Sequence, residues 1–359
     1  MRQNRGATSR PPSSRSAAGR APGTRTTNFR DRTVDAEKTL AEFQERLRTL
    51  DRELDEEIGQ RDGKKLGEEI AQILESAAER LSHLGKLGEL LDRLDRIRAS
   101  ERADEFGLDP EFEDLIAPLF LSLYRRWWRV DVDGIERVPA EGPALLVANH
   151  AGAMFPWDGA MLKVALRVDH PAQRELRLLV ENFAYNLPFV GSFMSRIGGV
   201  RACPENAERL LRQREIVGVF PEGLRGIGKR FHDRYRLQRF GRGGFVSLCL
   251  RTGAPLVPVA ILGAEEIHPL LGKLQWPAKL LGLPYIPVTP TFPWLGLLGL
   301  IPLPSKWTIA FGEPIDLARR YSPERATDVV LVDRLTEEVR ERVQDMIDRK
   351  LKERRSVFF

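Results

Sequence analysis

Residues that build metal sites and disulfide frameworks are scarce in this chain of 359 residues. It has only two cysteines, Cys203 and Cys249, and five histidines. Two cysteines do not make a disulfide framework, and no Cys/His spacing typical of a metal site occurs. We therefore expect no metal. Cys249 lies in an apolar run, which predicts a small core residue.

Several other familiar sequence patterns are also missing. Residues 1–33 contain no apolar core of signal-peptide length, so we expect no secretion signal. No Gly-x-Ser-x-Gly elbow occurs, which argues against a serine hydrolase triad. No module that combines aromatic and basic residues for nucleic-acid recognition is recognisable, so we expect no nucleic-acid partner. The formal net charge of +5 indicates a mild preference for anionic surfaces.

Two segments of different composition precede the main part of the chain. Residues 1–33 are rich in Ser, Gly, Pro, Thr and Arg, and we predict a disordered basic tail that is either solvated or attracted to anionic lipid. Residues 34–105 carry apolar residues at three- and four-residue spacing from Leu40 to Leu54, followed by a second helical stretch from Ile70. This pattern predicts a helical or coiled-coil region. It would fold as an antiparallel hairpin or pair with another copy, which would make a homo-oligomer.

Strand-like and helix-like patterns alternate over residues 109–320, which predicts one α/β domain. Asp109-Pro110 is typical of a helix start, and the helix that follows ends in aromatic residues and arginines. It would pack on the core or lie at a membrane interface. Short apolar runs predict buried strands at Leu145–Ala148, Leu176–Val180 and Ile216–Phe220. Residues 321–359 predict a final amphipathic helix starting at Ser322-Pro323-Glu324, with an apolar face formed by Val332, Leu335, Val339, Val343 and Met346.

The stretch LLVANHAGAMFPWDGA, from Leu145 to Ala160, carries the first candidate chemistry. Its apolar strand ends at Asn149-His150, and Asp158 follows after a loop that contains Gly152 and Pro156. A histidine at a strand end with a nearby carboxylate can act as a general base whose tautomer the carboxylate fixes. Taken alone, such a pair is more often a structural accident than a site.

Three further blocks follow in order. They are Gly198-Gly199-Val200-Arg201, the stretch GVFPEGLRG that contains Glu222, Gly223 and Arg225, and Leu256-Val257-Pro258-Val259. With Asn149-His150 and Asp158, these blocks resemble the glycerolipid acyltransferase family over roughly Val138 to Asp316. The interval between the histidine and the aspartate is longer than is usual in the family. In this respect the chain is similar to the monoacylglycerol-acyltransferase-like branch.

The resemblance implies an acyltransferase-type mixed sheet flanked by helices and a specific reaction. A fatty acyl group would pass from acyl-CoA or acyl carrier protein to a glycerolipid hydroxyl such as that of lysophosphatidate, without a further cofactor. His150 would be the general base and Asp158 its orienting partner. The residues that would bind substrate are Asn149, Arg201, Glu222, Gly223 and Arg225, with Arg225 the best candidate for a headgroup phosphate.

Two alternatives remain open at this point. The acceptor would be a neutral lipid such as monoacylglycerol, diacylglycerol or an alcohol, or the chain would be an inactive, membrane-associated coiled-coil scaffold. The basic run between Arg225 and Arg242 would bind phosphates or form solvated surface.

Residues 280–305 contain no charged side chain, but six prolines argue against a membrane-spanning helix. They predict a hydrophobic loop that is partly inserted into a membrane or folded over the core. We therefore expect membrane lipids as partners and a cytoplasmic protein that is peripherally attached to the inner face of a membrane.

Overall fold

The computed structural model describes residues 103–151, 156–185, 190–275, 278 and 285–357. The predicted basic tail (1–33) and nearly all of the predicted helical region (34–105) lie outside the described residues. The boundaries of the acyltransferase domain (109–320) and of the C-terminal segment (321–359) stay predictions.

The described chain alternates helices and strands, as the sequence pattern predicts. The strands are β1 (Asp131–Asp133), β2 (Ala144–Ala148), β3 (Leu176–Val180), β4 (Gly199–Arg201), β5 (Ile216–Val219), β6 (Leu256–Leu262), β7 (Gly272–Leu274), β8 (Ile286–Val288) and β9 (Thr308–Phe311). The α-helices are α1 (Pro110–Ser122), α2 (Trp157–Val168), α3 (Asn182–Tyr185), α4 (Val190–Arg196), α5 (Pro204–Arg212), α6 (Leu224–Ile227), α7 (Gly244–Thr252), α8 (Leu317–Arg320) and α9 (Val329–Glu353). A π turn (Leu123–Trp127) continues α1, and 3-10 turns include Gly296–Leu300 and Pro323–Thr327.

The strands form a seven-stranded mixed sheet in the order β1-β9-β6-β2-β5-β3-β4. All neighbours are parallel except β6 and β9, which are antiparallel, so β1 and β9 run opposite to the other five strands. A separate antiparallel pair is formed by β7 and β8. The predicted mixed α/β sheet is confirmed.

Helices cover both faces of the sheet, which is why its central strands are continuous apolar runs. Leu145 and Val147 of β2 face one core, and Leu146 and Ala148 face the other, because successive side chains of a strand point to opposite faces. Buried residues of α5, α7 and α9 complete the first core, and those of α1 and α2 complete the second.

The C-terminal helix begins later than the sequence predicts. Pro323–Thr327 forms a 3-10 turn, and α9 begins at Val329 with Asp328 as N-cap. The Asp328 carboxylate accepts a hydrogen bond from the Leu331 N–H at 3.0 Å. The start predicted at Ser322 is therefore wrong, because the local Ser-Pro-Glu pattern also fits a short turn. The predicted apolar face is confirmed, since its residues Val332, Leu335, Val339, Val343 and Met346 are buried.

The first helix starts as predicted and continues into a π turn. Asp109 caps α1 by accepting hydrogen bonds from two N–H groups of the first turn. The π turn then shifts the helical register, so that Tyr124 and Trp128 are buried while Trp127 is exposed.

Residues 285–305, the described part of the uncharged stretch, form β8, a loop and a 3-10 turn. Within the ranges that the structure describes, no helix has both the length and the apolar character needed to cross a membrane.

Candidate active site

The predicted catalytic residues meet at the carboxyl ends of two neighbouring parallel strands. His150 follows β2, Glu222 follows β5, and Asp158 lies in the first turn of α2. Loops that leave the carboxyl ends of adjacent parallel strands form the usual ligand crevice of α/β sheets.

His150 and Asp158 are in contact despite their longer interval. The His150 Nδ1 lies 2.6 Å from Asp158 Oδ2, and the Asp158 carboxylate also accepts the N–H groups of Ala151 at 2.7 Å and Gly159 at 2.8 Å. Asp158 is fully buried, so its geometry is set by these three donors. A carboxylate that accepts from Nδ1 leaves the lone pair of the neutral imidazole on Nε2. No described residue donates a hydrogen bond to that Nε2.

Two close neighbours restrict the imidazole ring of His150. The Phe220 ring stacks against it with 4.6 Å between centroids and 28° between planes. Gly226 of α6 packs beside its backbone, where a β-carbon would lie 2.8 Å from the His150 Cβ and 3.0 Å from its carbonyl oxygen. Only glycine allows this close approach. Phe220 and Asp158 therefore hold the ring, Gly226 fixes the backbone that carries it, and the side chain keeps 15% exposure.

Asn149 does not line the site, although the sequence predicts that it binds substrate. Its Nδ2 donates to the Ile261 carbonyl at 2.9 Å, and its Oδ1 accepts from the Ile261 N–H at 2.7 Å. The side chain is fully buried, so in this arrangement it has no face toward a substrate. It instead ties the end of β2 to β6 and so fixes where His150 leaves the sheet.

The Glu222 carboxylate contacts the backbone of His150. One carboxylate oxygen accepts the backbone N–H of His150 at 2.9 Å, and the other accepts that of Gln238 at 2.6 Å. The Lys229 ammonium lies 3.4 Å from Glu222 and 2.7 Å from Glu265. Glu222 thus joins His150 to a buried ion network, and its predicted role in binding substrate stays a prediction.

Lys229 and Glu265 are members of the site region that no sequence pattern indicates. Burial alone would lower the pKa of Lys229, but the carboxylates of Glu265 and Glu222 overcome this and raise it above its ordinary value. The lysine is therefore charged at neutral pH and compensates two buried carboxylates. In the sequence it stands within a basic run whose arginines at 230, 234, 236 and 239 are exposed. Nothing in the run itself distinguishes the one buried member.

The remaining predicted residues differ in their position. Gly223 has φ +55°, and a β-carbon there would collide with Glu181, so the turn after β5 requires glycine. Arg225 is exposed on α6 and forms no ion pair with any described residue. Arg201 lies on the edge strand β4, with its guanidinium 5.2 Å from the Tyr185 ring centroid. Of the two arginines, Arg225 is the one carried by the same turn as Glu222 and Gly226.

Neither metal-binding nor thiol chemistry is indicated near these residues. The described residues contain no group of His, Cys, Asp or Glu side chains that could hold a metal ion. Cys249 is buried in the core as predicted, and burial raises the pKa of its thiol.

Comparison with known proteins connects this geometry to a family. Residues 129–262 match the family model described as Acyltransferase. An uncharacterized protein of Mycobacterium tuberculosis strain H37Rv is 51% identical over 265 residues, which cover 74% of this chain and 74% of that protein. The chain belongs to the glycerolipid acyltransferase family. This acyltransferase is therefore an enzyme that transfers acyl groups.

More distant relatives of the acyltransferase carry names that describe lipid synthesis. The bovine DGAT1/2-independent enzyme synthesizing storage lipids is 21% identical over 226 residues, which cover 62% of this chain and 60% of the relative. The chloroplastic 1-acyl-sn-glycerol-3-phosphate acyltransferase of Brassica napus is 24% identical over 172 residues, with coverage of 44% and 45%. The crystal structure of the 1-acyl-sn-glycerophosphate acyltransferase of Thermotoga maritima covers 82% of this chain and 100% of its own, with 17% identity and a TM-score of 0.42.

Proposed function

We propose that this enzyme moves a fatty acyl group from acyl-CoA or acyl carrier protein to the hydroxyl of a glycerolipid such as lysophosphatidate, with His150 as general base. The observation that carries the proposal is the 2.6 Å contact between His150 Nδ1 and Asp158, which leaves Nε2 available as a proton acceptor.

The reaction follows from that arrangement in two proton movements. Nε2 of His150 takes the acceptor's hydroxyl proton as the hydroxyl oxygen attacks the thioester carbonyl carbon. The carbon–sulfur bond breaks, and the imidazolium returns the proton to the departing thiolate. Asp158 stabilises the imidazolium between these steps, and no covalent acyl-enzyme is required.

Arg225 supports a phosphorylated acceptor. It is exposed, it follows Glu222 in the same turn, and no described carboxylate neutralises it. Arginine matches the geometry of a phosphate with paired hydrogen bonds. We therefore assign the headgroup phosphate of the acceptor to Arg225.

A neutral acceptor is the second candidate, because the bovine relative's name refers to synthesis of storage lipids. The inactive scaffold is not proposed, because the chain belongs to a family of enzymes that transfer acyl groups. The longer interval between His150 and Asp158 does not separate the two side chains, which are in contact.

The test is acyl transfer from labelled acyl-CoA to lysophosphatidate and to monoacylglycerol, repeated with acyl carrier protein as donor. His150→Ala should lower kcat about 100- to 10,000-fold. Arg225→Gln should lower kcat/KM for lysophosphatidate about 10- to 100-fold and leave transfer to monoacylglycerol unchanged.

The matched control is Arg236→Gln, an exposed arginine of the same basic run, which should have no effect. Transfer only to monoacylglycerol, unaffected by Arg225→Gln, would establish the neutral acceptor instead. Transfer that is unaffected by His150→Ala would refute the assignment of the base.

A further inference from the structure

Large apolar side chains are exposed together on one part of the described surface. Trp294 is 73% exposed, and more than half of the surface of each of its apolar neighbours on the loop, Leu295, Leu298 and Ile301, is exposed. Trp127 of the π turn is exposed as well. We call these five residues the apolar surface. Contiguous exposed apolar residues on a soluble domain mark an interaction site.

Hydrogen bonds join the two elements that form the apolar surface. Trp127 Nε1 donates to the Pro302 carbonyl at 3.0 Å, and Trp128 Nε1 donates to the Leu303 carbonyl at 3.2 Å. The π turn and the end of the loop are therefore directly attached, which brings Ile301 beside Trp127.

Internal hydrogen bonds stabilise the loop that carries most of the apolar surface. Thr289 Oγ1 accepts the Phe292 N–H at 2.9 Å, and Thr291 Oγ1 donates to the Gly299 carbonyl at 3.0 Å. These bonds satisfy polar groups within the loop, so its apolar side chains can be presented outward.

The same loop borders the candidate active site. Tyr285 OH donates to the Ile227 carbonyl of α6 at 3.0 Å, next to Gly226. At the other side, His268 Nε2 lies 3.1 Å from the Leu300 carbonyl oxygen, and His268 lines a small cavity together with Ala151 and Gly226. The two ends of the loop are thus connected, through Ile227 and His268, to residues next to His150.

The charges around the apolar surface select the kind of partner. Residues 280–305 carry no charge, and the exposed Arg125 and Arg126 immediately precede Trp127. No acidic residue occurs between Asp114 and Asp131. Aromatic and aliphatic side chains beside arginines match the headgroup region of a bilayer, where rings lie at the interface and cations meet phosphates.

We infer that the apolar surface docks this enzyme on an anionic lipid bilayer, with the loop that carries Trp294 and Leu298 inserted among the headgroups. This inference does not depend on the proposed acceptor or on the role of His150.

The test is co-sedimentation of the full chain with vesicles of phosphatidylcholine alone and of equal parts phosphatidylcholine and phosphatidylglycerol. Trp294→Ser combined with Leu298→Ser should weaken partition into both vesicles, about ten-fold for each substitution. Arg125→Gln combined with Arg126→Gln should weaken only binding to the anionic vesicles, and only at low salt.

The matched control replaces Val329 and Val330 by serine. Both are strongly exposed, and they start α9, which packs on the opposite face of the sheet from α1. This variant should bind vesicles like the wild type, and all variants should keep the wild-type melting temperature.

Three results would overturn the inference. They are a wild-type chain that binds neither vesicle, a Trp294/Leu298 variant that binds as well as the wild type, and self-association that is lost in this variant, which would make the surface a contact between two copies. Failure here is separable from failure of the proposed function. His150→Ala should still bind vesicles, and the Trp294/Leu298 variant should still acylate a water-soluble, short-chain acceptor.

Discussion

Replacement of Asp158 by asparagine removes the charge beside His150 while keeping nearly the same shape. The carboxylate accepts three hydrogen bonds: Oδ2 from His150 Nδ1 and from the Ala151 N–H, and Oδ1 from the Gly159 N–H. An amide has only one acceptor oxygen. In either orientation of the asparagine, one of the two backbone N–H groups therefore loses its partner in a fully buried position.

This loss sets the expected effect on stability and on rate. An unsatisfied buried donor costs about 1–3 kcal/mol, so the variant should be destabilised by that amount. If the amide nitrogen faces His150, it favours the tautomer with the proton on Nε2, which cannot accept a proton from the substrate. In the other orientation the imidazolium loses its carboxylate. Both orientations should lower kcat about 100- to 10,000-fold.

Steady-state kinetics and chemical denaturation of Asp158→Asn, His150→Ala and the double variant test this reasoning. KM for the acceptor should change little, because Asp158 is fully buried and cannot touch it. The double variant should be no slower than His150→Ala alone, since two residues that act as a unit are not additive. A single variant with wild-type kcat, or a double variant far slower than His150→Ala, would refute the role given to Asp158.

Three further substitutions probe the surroundings of the site and the end of the chain. Gly226→Ala should displace His150, which would lower kcat, and should lower the free energy of unfolding by about 1–3 kcal/mol, measured from the unfolding midpoint. Gly244→Ala, whose new methyl group meets nothing within 4 Å, is the control and should change neither. In the wild type, the Glu266 carboxylate is bonded at 2.6 Å to each of two guanidinium nitrogens of Arg354. Arg354→Met leaves this carboxylate as a buried uncompensated charge and should lower the free energy of unfolding, measured by calorimetry, by about 3–5 kcal/mol. The same change at the exposed Arg355 is the control. Lys229→Met should also destabilise the fold at neutral pH. Its loss of stability relative to wild type should shrink as the pH falls and the Glu265 carboxylate becomes protonated, and a loss independent of pH would contradict the ion network.

The pH dependence of the Lys229 contribution has a definite sign. The pKa of this lysine is raised in the folded chain, since the attraction of two carboxylates outweighs burial. Its contribution to stability is therefore complete at neutral pH and is lost as the pH rises through that raised pKa. On the acid side the contribution depends on Glu265, because burial raises the pKa of that carboxyl although Lys229 opposes it.

Much of the sheet could be predicted from the sequence, because each central strand is a short apolar run with helices on both faces. Leu176–Val180 is a strand with the predicted bounds, and β2 exceeds its predicted bounds by one residue. Such strands are recognisable from local composition alone. The buried side of the segment that follows α1 is not predictable in this way, because a π turn changes the residue spacing without leaving any mark in the local pattern.

The residues that belong to the site were predictable as a group from the motifs, but the role of each residue within the site was not. Asn149 and Glu222 belong to the recognised blocks. The Asn149 side chain, however, forms hydrogen bonds with the backbone of Ile261, and the Glu222 carboxylate accepts one from the backbone of His150. Both contacts join positions that are far apart in the sequence, and a local pattern carries no information about them. A polar residue at a strand end indicates a functional or supporting role. The loop that folds against this residue decides which role it has: contact with a substrate, or support of another residue that makes that contact. In this chain the turn after β5 contacts the backbone of His150 through Glu222 and Gly226, while Arg225 of the same turn is exposed. One block therefore supplies both the support of the base and the best candidate for binding the acceptor.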